Sequence, residues 1–109
     1  MDDFYLNKMQ KYENLCLAWI QKADQEFLNN NFQHNKQECV YLQQAVSLRS
    51  EMARISIGEE QAYHRRKARE LNARIADIIR IIDPEYMKRK EQEAKAKKAQ
   101  EAKKSTAAS

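Results

Sequence analysis

One glycine and one proline are all that the chain contains, so few positions can form the tight turns and corners on which sheet folds depend. Long helices with short connections are the natural reading. No run of about 18 apolar residues is present to span a bilayer, and Asp2 and Asp3 stand where a secretory signal would carry positive charge. The expectation is a cytoplasmic protein without a transmembrane segment. With 109 residues there is room for one compact domain and one core.

Reactive groups are equally scarce. The histidines, His34 and His64, fall on different segments with no Cys or carboxylate at metal-ligand spacing. A single glycine rules out a glycine-rich phosphate loop. Cys16 and Cys39 fall on the apolar stripes of two helices that would run antiparallel about a turn near Asn30, offset along the axis by several ångströms. Both read as reduced core thiols rather than as a disulfide or a redox pair. No nucleophile stands beside a base and no carboxylate pair suggests a pocket. The sequence therefore predicts a non-enzyme with no catalytic residue, metal ligand or cofactor.

The formal net charge is +4, and its location matters more than its size. Between Lys88 and Lys104 there are eight Lys/Arg and three Glu, a net of +5, which leaves about −1 for the rest. Basicity belongs to the tail, and the remainder is nearly neutral.

What is present is helical periodicity. Met9, Tyr12, Cys16, Trp19, Ala23 and Phe27 recur at spacings of three and four, with Leu17, Ile20 and Leu28 widening the face. Asn29, Asn30 and Asn31 suit the left-handed end of this helix and the cap of the next. A second stripe holds Tyr41, Ala45, Leu48, Met52 and Ile55, flanked by Phe32, Cys39, Leu42 and Val46. A third holds Ala68, Leu71, Ile75, Ile78 and Ile82, opposite a basic face of Arg65, Arg66, Arg69, Asn72 and Arg80. Gly58 marks the second turn. The predicted fold is an all-α antiparallel three-helix bundle over residues 1–83, with helices at about 3–29, 32–55 and 59–82. Residues 84–109 form a basic Lys/Ala-rich linker or tail, exposed and either helical or flexible, that opens with Asp83 as cap and Pro84 in the first helical position. Its alanines bury too little surface to hold it against the bundle, and it ends in an unstructured Ser-Thr-Ala-Ala-Ser.

Tyr12, Trp19, Phe27, Phe32 and Tyr41 lie on the stripes and are assigned to the core rather than to a base-stacking platform. Tyr5, Tyr63 and Tyr86 lie near segment ends, as contact residues or ordinary surface tyrosines. The run His64-Arg65-Arg66-Lys67-Ala68-Arg69 is the sharpest charge feature. It reads either as a solvated face relieved by Glu60, Glu70 and Asp77 or as a collector of phosphates and acidic side chains.

The segment Lys22-Ala23-Asp24, Phe27 and Asn30-Asn31-Phe32, then Lys67-Ala68-Arg69-Glu70-Leu71 with Arg74 and Ile75, resembles the MIT (microtubule interacting and trafficking) domain. The resemblance covers roughly residues 4 to 82. MIT domains are three-helix bundles related to TPR hairpins, commonly found at the N-terminus of AAA ATPases and followed by a charged linker. The resemblance implies an adaptor that binds a partner helix between its second and third helices, at Leu71, Arg74, Ile75 and Ile78 faced by Val46, Arg49 and Met52. Asn35 stands where a small apolar residue is usual in that family, and Leu42 where Ala is usual. Helix three is basic, which implies an acidic partner selected by residues such as Arg65 and Arg69.

Two further readings stand beside this one. Arg65, Arg66, Arg69 and the tail would serve a nucleic acid or another anionic surface. Alternatively, the chain is a helical chaperone or structural subunit that buries a stripe in an oligomer, whereas the adaptor reading makes the isolated domain a monomer.

Overall fold

The computed structural model describes residues 3–107, with side chains described for residues 3–102. Four α-helices follow in order: α1 (Asp3–Asn29), α2 (Lys36–Ile55), α3 (Gly58–Ile82) and α4 (Pro84–Ala107). No strand occurs among the described residues. The chain therefore has four helices where three helices and a tail were expected. Ala, Lys and Glu are strong helix formers, and the pairs Glu85/Arg89, Glu91/Lys95 and Glu93/Lys97 are spaced for attraction one turn apart. These local terms carry α4 to Ala107 without a buried face, past the Ser105 at which structure was expected to end. Ala108 and Ser109 lie outside the described residues.

The end of α1 is set by asparagine chemistry. Asn31 takes φ 58°, and the N–H of Phe32 donates to the carbonyl of Phe27 at 3.0 Å, the bonding pattern of a Schellman motif. The Phe27 and Phe32 rings meet edge-on at 5.9 Å, supplying the apolar contact that accompanies such an end. Phe32 is consequently 68% exposed and is not the core residue expected of it.

The next helix starts at Lys36, four residues later than the periodicity suggests. Asn35 caps it: its Oδ1 accepts from the Glu38 N–H at 3.1 Å and its own N–H donates to Glu38 Oε1 at 3.1 Å, a reciprocal capping box. Glu38 is fully buried, with His34 Nδ1 also at 3.1 Å and the His34 ring stacked on Phe27 at 4.6 Å. His34 is thus a structural residue of this corner. At the other end, the Ser56 hydroxyl donates to the Met52 carbonyl at 2.8 Å and the Gln61 amide to the Ala53 carbonyl at 2.8 Å. Gly58 turns the chain at φ +63°, a left-handed conformation that favours glycine.

Both α1 and α3 pack along α2, but no Cα of α1 comes within 8 Å of one in α3. The core is centred on α2, where Leu42, Ala45 and Met52 are fully buried against Cys16 and Ala23 of α1 and Leu71, Ile75 and Ile78 of α3. Complete burial of a Leu or Met side chain is worth about 1.5–3 kcal/mol. Leu42 thus fills the position where the family resemblance expected alanine. Leu17 (52% exposed) and Leu28 (47%) lie outside this core, because α1 meets one neighbour closely rather than two.

The turn into α4 follows the expected chemistry. Asp83 Oδ1 accepts from the Tyr86 N–H at 3.1 Å, and Pro84 takes the first helical position. Beyond a short contact with α3, which includes Arg80 and Glu91 at 3.7 Å, α4 projects away. It accounts for a radius of gyration of 18.0 Å, against about 13 Å for a compact chain of this length.

Candidate interaction surface

Six residues expected to line a partner groove are buried within the fold: Val46, Arg49, Met52, Leu71, Ile75 and Ile78. They are core, and the physical reason is that α2 and α3 pack directly on one another through them. The alternatives left open by periodicity, core or groove, resolve to core at these positions.

Arg49 shows how a charged residue is accommodated there. It is 4% exposed, and its Nη1 and Nη2 donate to Glu13 of α1 at 2.5 and 2.8 Å. Nη1 also lies 3.3 Å from His64 Nδ1; since a guanidinium only donates, this ring nitrogen accepts. Burial pulls the guanidinium pKa down, but the Glu13 hydrogen bond together with the charges of Cys16, Glu13 and Tyr63 more than offsets it and the net shift is upward. His64 is 5% exposed. Cys16 is fully buried and its Sγ donates to the Ala45 carbonyl at 3.5 Å. Burial pushes the Cys16 thiol up, against the opposing pull of Arg49.

Arg74 is a brace between helices. Half-buried, it spans the gap between α1 and α3 to reach Asp24 at 2.5 Å, while Tyr5 donates to Glu60 at 3.2 Å across the same gap. A depression of 260 Å³ lies between these helices, lined by Leu17, Ile20, Arg49, Lys67, Glu70, Leu71 and Arg74. Its charges are internally matched: Glu13 with Arg49, Asp24 with Arg74 and Glu70 with Lys67 at 3.5 Å.

The remaining two predicted residues, Arg65 and Arg69, sit elsewhere. They are exposed on the outer side of the α2–α3 seam, where a depression of 380 Å³ is lined by Ser50, Ala53 and Arg54 of α2 and Arg65, Ala68 and Arg69 of α3. Small side chains at positions 50, 53 and 68 keep its floor low. The other cations of α3 are occupied: Arg66 lies over the Tyr63 ring at 5.4 Å, Lys67 pairs with Glu70, Arg74 with Asp24, and Arg80 with Asp77 at 2.9 Å. Among the described residues, Arg65 and Arg69 have no carboxylate within ion-pair distance. Placed one turn apart, they repel each other by about 0.2–0.5 kcal/mol. Arg54 is held by Glu51 on its own helix.

A second depression, of 250 Å³, opens at the far end of the same seam, between Lys36 and Cys39 of α2 and Ile79, Ile82, Asp83 and Tyr86. Cys39 precedes Ala53 by four helical turns and Ala68 precedes Ile79 by three, so each helix presents both depressions on one face, about 16–21 Å apart. Periodicity reveals this only in part: Cys39, Ala68 and Ile82 lie on or beside apolar stripes, whereas Ser50 and the arginines at the other end of the seam carry no apolar signal. Its sequence signal was the alternation of Ser50, Ala53 and Ala68 with three arginines.

Among the described residues no cluster of three His, Cys, Asp or Glu could hold a metal ion, and no helix is long and apolar enough to cross a membrane. The chain matches no known family model, no curated protein and no solved structure.

Proposed function

We propose that this chain is a non-catalytic docking module, MIT-like in its use of a seam between the second and third helices, that receives a helical segment of a partner protein. The observation that carries the reading is the pair of depressions aligned on one α2–α3 seam, one floored by Ser50, Ala53 and Ala68 and the other lined by Cys39, Ile79, Ile82 and Tyr86 between Lys36 and Asp83. A partner helix needs such a trough, because ridges of its side chains must enter a groove between two neighbours. The working groove is thus the outer seam rather than the buried contact of Val46, Met52, Leu71, Ile75 and Ile78. The reading also takes the module to be a monomeric, cytoplasmic adaptor, with α4 as the charged linker that joins it to whatever it serves.

Ser50→Trp fills the trough from an exposed position and tests this directly. Proteins retained by the parent chain in quantitative affinity capture are expected to be lost by Ser50→Trp and kept by Leu17→Trp, which alters the α1–α3 side. Retention by both variants would remove the seam from consideration.

One observation favours a second reading. α4 is exposed from Lys88 to Ala102 and carries more Lys and Arg than Glu, so it offers a cationic surface to a polyanion. Nucleic-acid binding through α4 would weaken steeply with salt. Fluorescence anisotropy with a labelled single strand at rising salt measures it, and a flat or absent response excludes it.

A further inference from the structure

We infer that the segment received by the seam is an acidic amphipathic helix, which rests on the docking reading above and specifies its ligand. An apolar side chain enters the depression at Cys39, Ile79, Ile82 and Tyr86. Three to four turns along the same helix, carboxylates meet Arg65 and Arg69 at the other depression.

Charge complementarity carries the assignment. The matched pairs of the α1–α3 side leave no field there for a charged ligand to satisfy. On the outer seam, Arg65 and Arg69 stand one turn apart with no carboxylate within ion-pair distance among the described residues, and an incoming anion would relieve their mutual repulsion. A guanidinium offers a planar fork that a carboxylate fills with two hydrogen bonds, so Asp or Glu at a one-turn spacing on the partner matches the arginine pair.

The other occupants fit less well. A phosphodiester strand would satisfy the arginines but leave the apolar depression beside Cys39 empty. The chain's own α4 starts at the edge of that depression and carries predominantly positive charge, which the arginines repel. A second copy brings the same unpaired arginines to the contact if it docks seam to seam.

Selection of a phage-displayed library of roughly 20-residue helical peptides on the immobilised full chain tests the inference. Expected is enrichment of Asp or Glu about 11–14 residues from a large apolar residue, the interval set by helical rise. Affinity of a selected peptide should fall by more than about tenfold with the double change R65E/R69E, and the same library selected on that variant should favour Lys and Arg. Both side chains are exposed, and R65Q/R69Q provides a neutral variant if the reversal impairs folding. Enriched peptides without charge preference would overturn the acidic assignment and leave the docking reading intact. No enriched peptide at all would overturn both. Displacement of selected peptides by a 20-nucleotide single strand, with direct binding of that strand lost in R65E/R69E, would assign the arginines to phosphate. Self-association of the chain that is abolished by R65E/R69E would assign the seam to a second copy.

Discussion

Arg49 of α2 and Glu13 of α1 form a two-pronged ion pair, at 2.5 and 2.8 Å, whose cation is almost wholly buried and whose anion is about a third exposed. The asymmetry makes the two partners unequal. Glu13→Leu would leave a buried guanidinium beside His64 and the Tyr63 ring but without a carboxylate, and removal of one member of a buried pair costs about 3–5 kcal/mol. Solvent access at Glu13 lowers that figure to roughly 2–3 kcal/mol. Arg49→Met removes the cation together with its unpaired Nε and leaves Glu13 free to be hydrated, so it should cost less than about 1 kcal/mol. Urea unfolding of both variants measures the difference, and equal losses would refute this account of the pair.

The capping box at Asn35 fixes where α2 begins. Asn35→Ala removes the acceptor for the Glu38 N–H and disturbs the setting of a fully buried carboxylate. A loss of about 1–2 kcal/mol is expected, at the upper end of the range for cap residues, whereas Asn35→Ser, which keeps a capping acceptor without placing a carboxylate beside Glu26 and Glu38, should cost less. Comparable stability of the Ala variant and the parent would show that the corner is held by other contacts.

Burial raises the pKa of both thiols, with Glu38 adding to the rise at Cys39. A group whose folded pKa is raised contributes stability below its unfolded value and loses that contribution as pH climbs through the folded value. Stability should therefore decline on the alkaline side, above about pH 8.5. Iodoacetamide followed by mass spectrometry should find Cys16 protected in the folded chain, Cys39 slow, and both reactive in urea. Rapid modification of Cys16 without denaturant would contradict its burial.

From Glu91 to Ala102 the side chains of α4 are exposed, so burial there contributes little to the bundle. Truncation after Gln92 should leave the cooperative unfolding of α1–α3 within about 0.5 kcal/mol of the parent while removing helical ellipticity that is sensitive to salt. A large loss of stability would mean that the distal half of α4 packs against the bundle after all.

The sequence revealed most where spacing and burial coincide. The stripe from Leu71 to Ile82 foretold α3, and Asn31 supplied the left-handed end of α1. Phe32 misled because an apolar residue next to a turn can serve a helix terminus as well as a core. The start of α2 was hidden in Asn35-x-x-Glu38, a capping box with Asn in place of the commoner Ser or Thr. The tail was left open, helical or flexible, because its alanines bury little, yet propensity and one-turn charge spacing are sufficient for a fourth helix. The groove escaped notice for a related reason: hydrophobic periodicity finds what a helix buries, and Met52 and Ile75 are buried. Of the residues that stay accessible beside them, Ser50 carries no apolar signal, Ala68 was counted with the buried stripe, and Arg65 and Arg69 were counted with the solvated basic face.

The outer α2–α3 seam as working surface is tested most directly by site-specific photo-cross-linking in cells, with a benzophenone amino acid placed at Ser50 or at Leu17. A protein adduct is expected from position 50, reduced by R65E/R69E, with little or none from position 17. An adduct from position 17 alone, or a position-50 adduct removed by nuclease rather than protease, would contradict it.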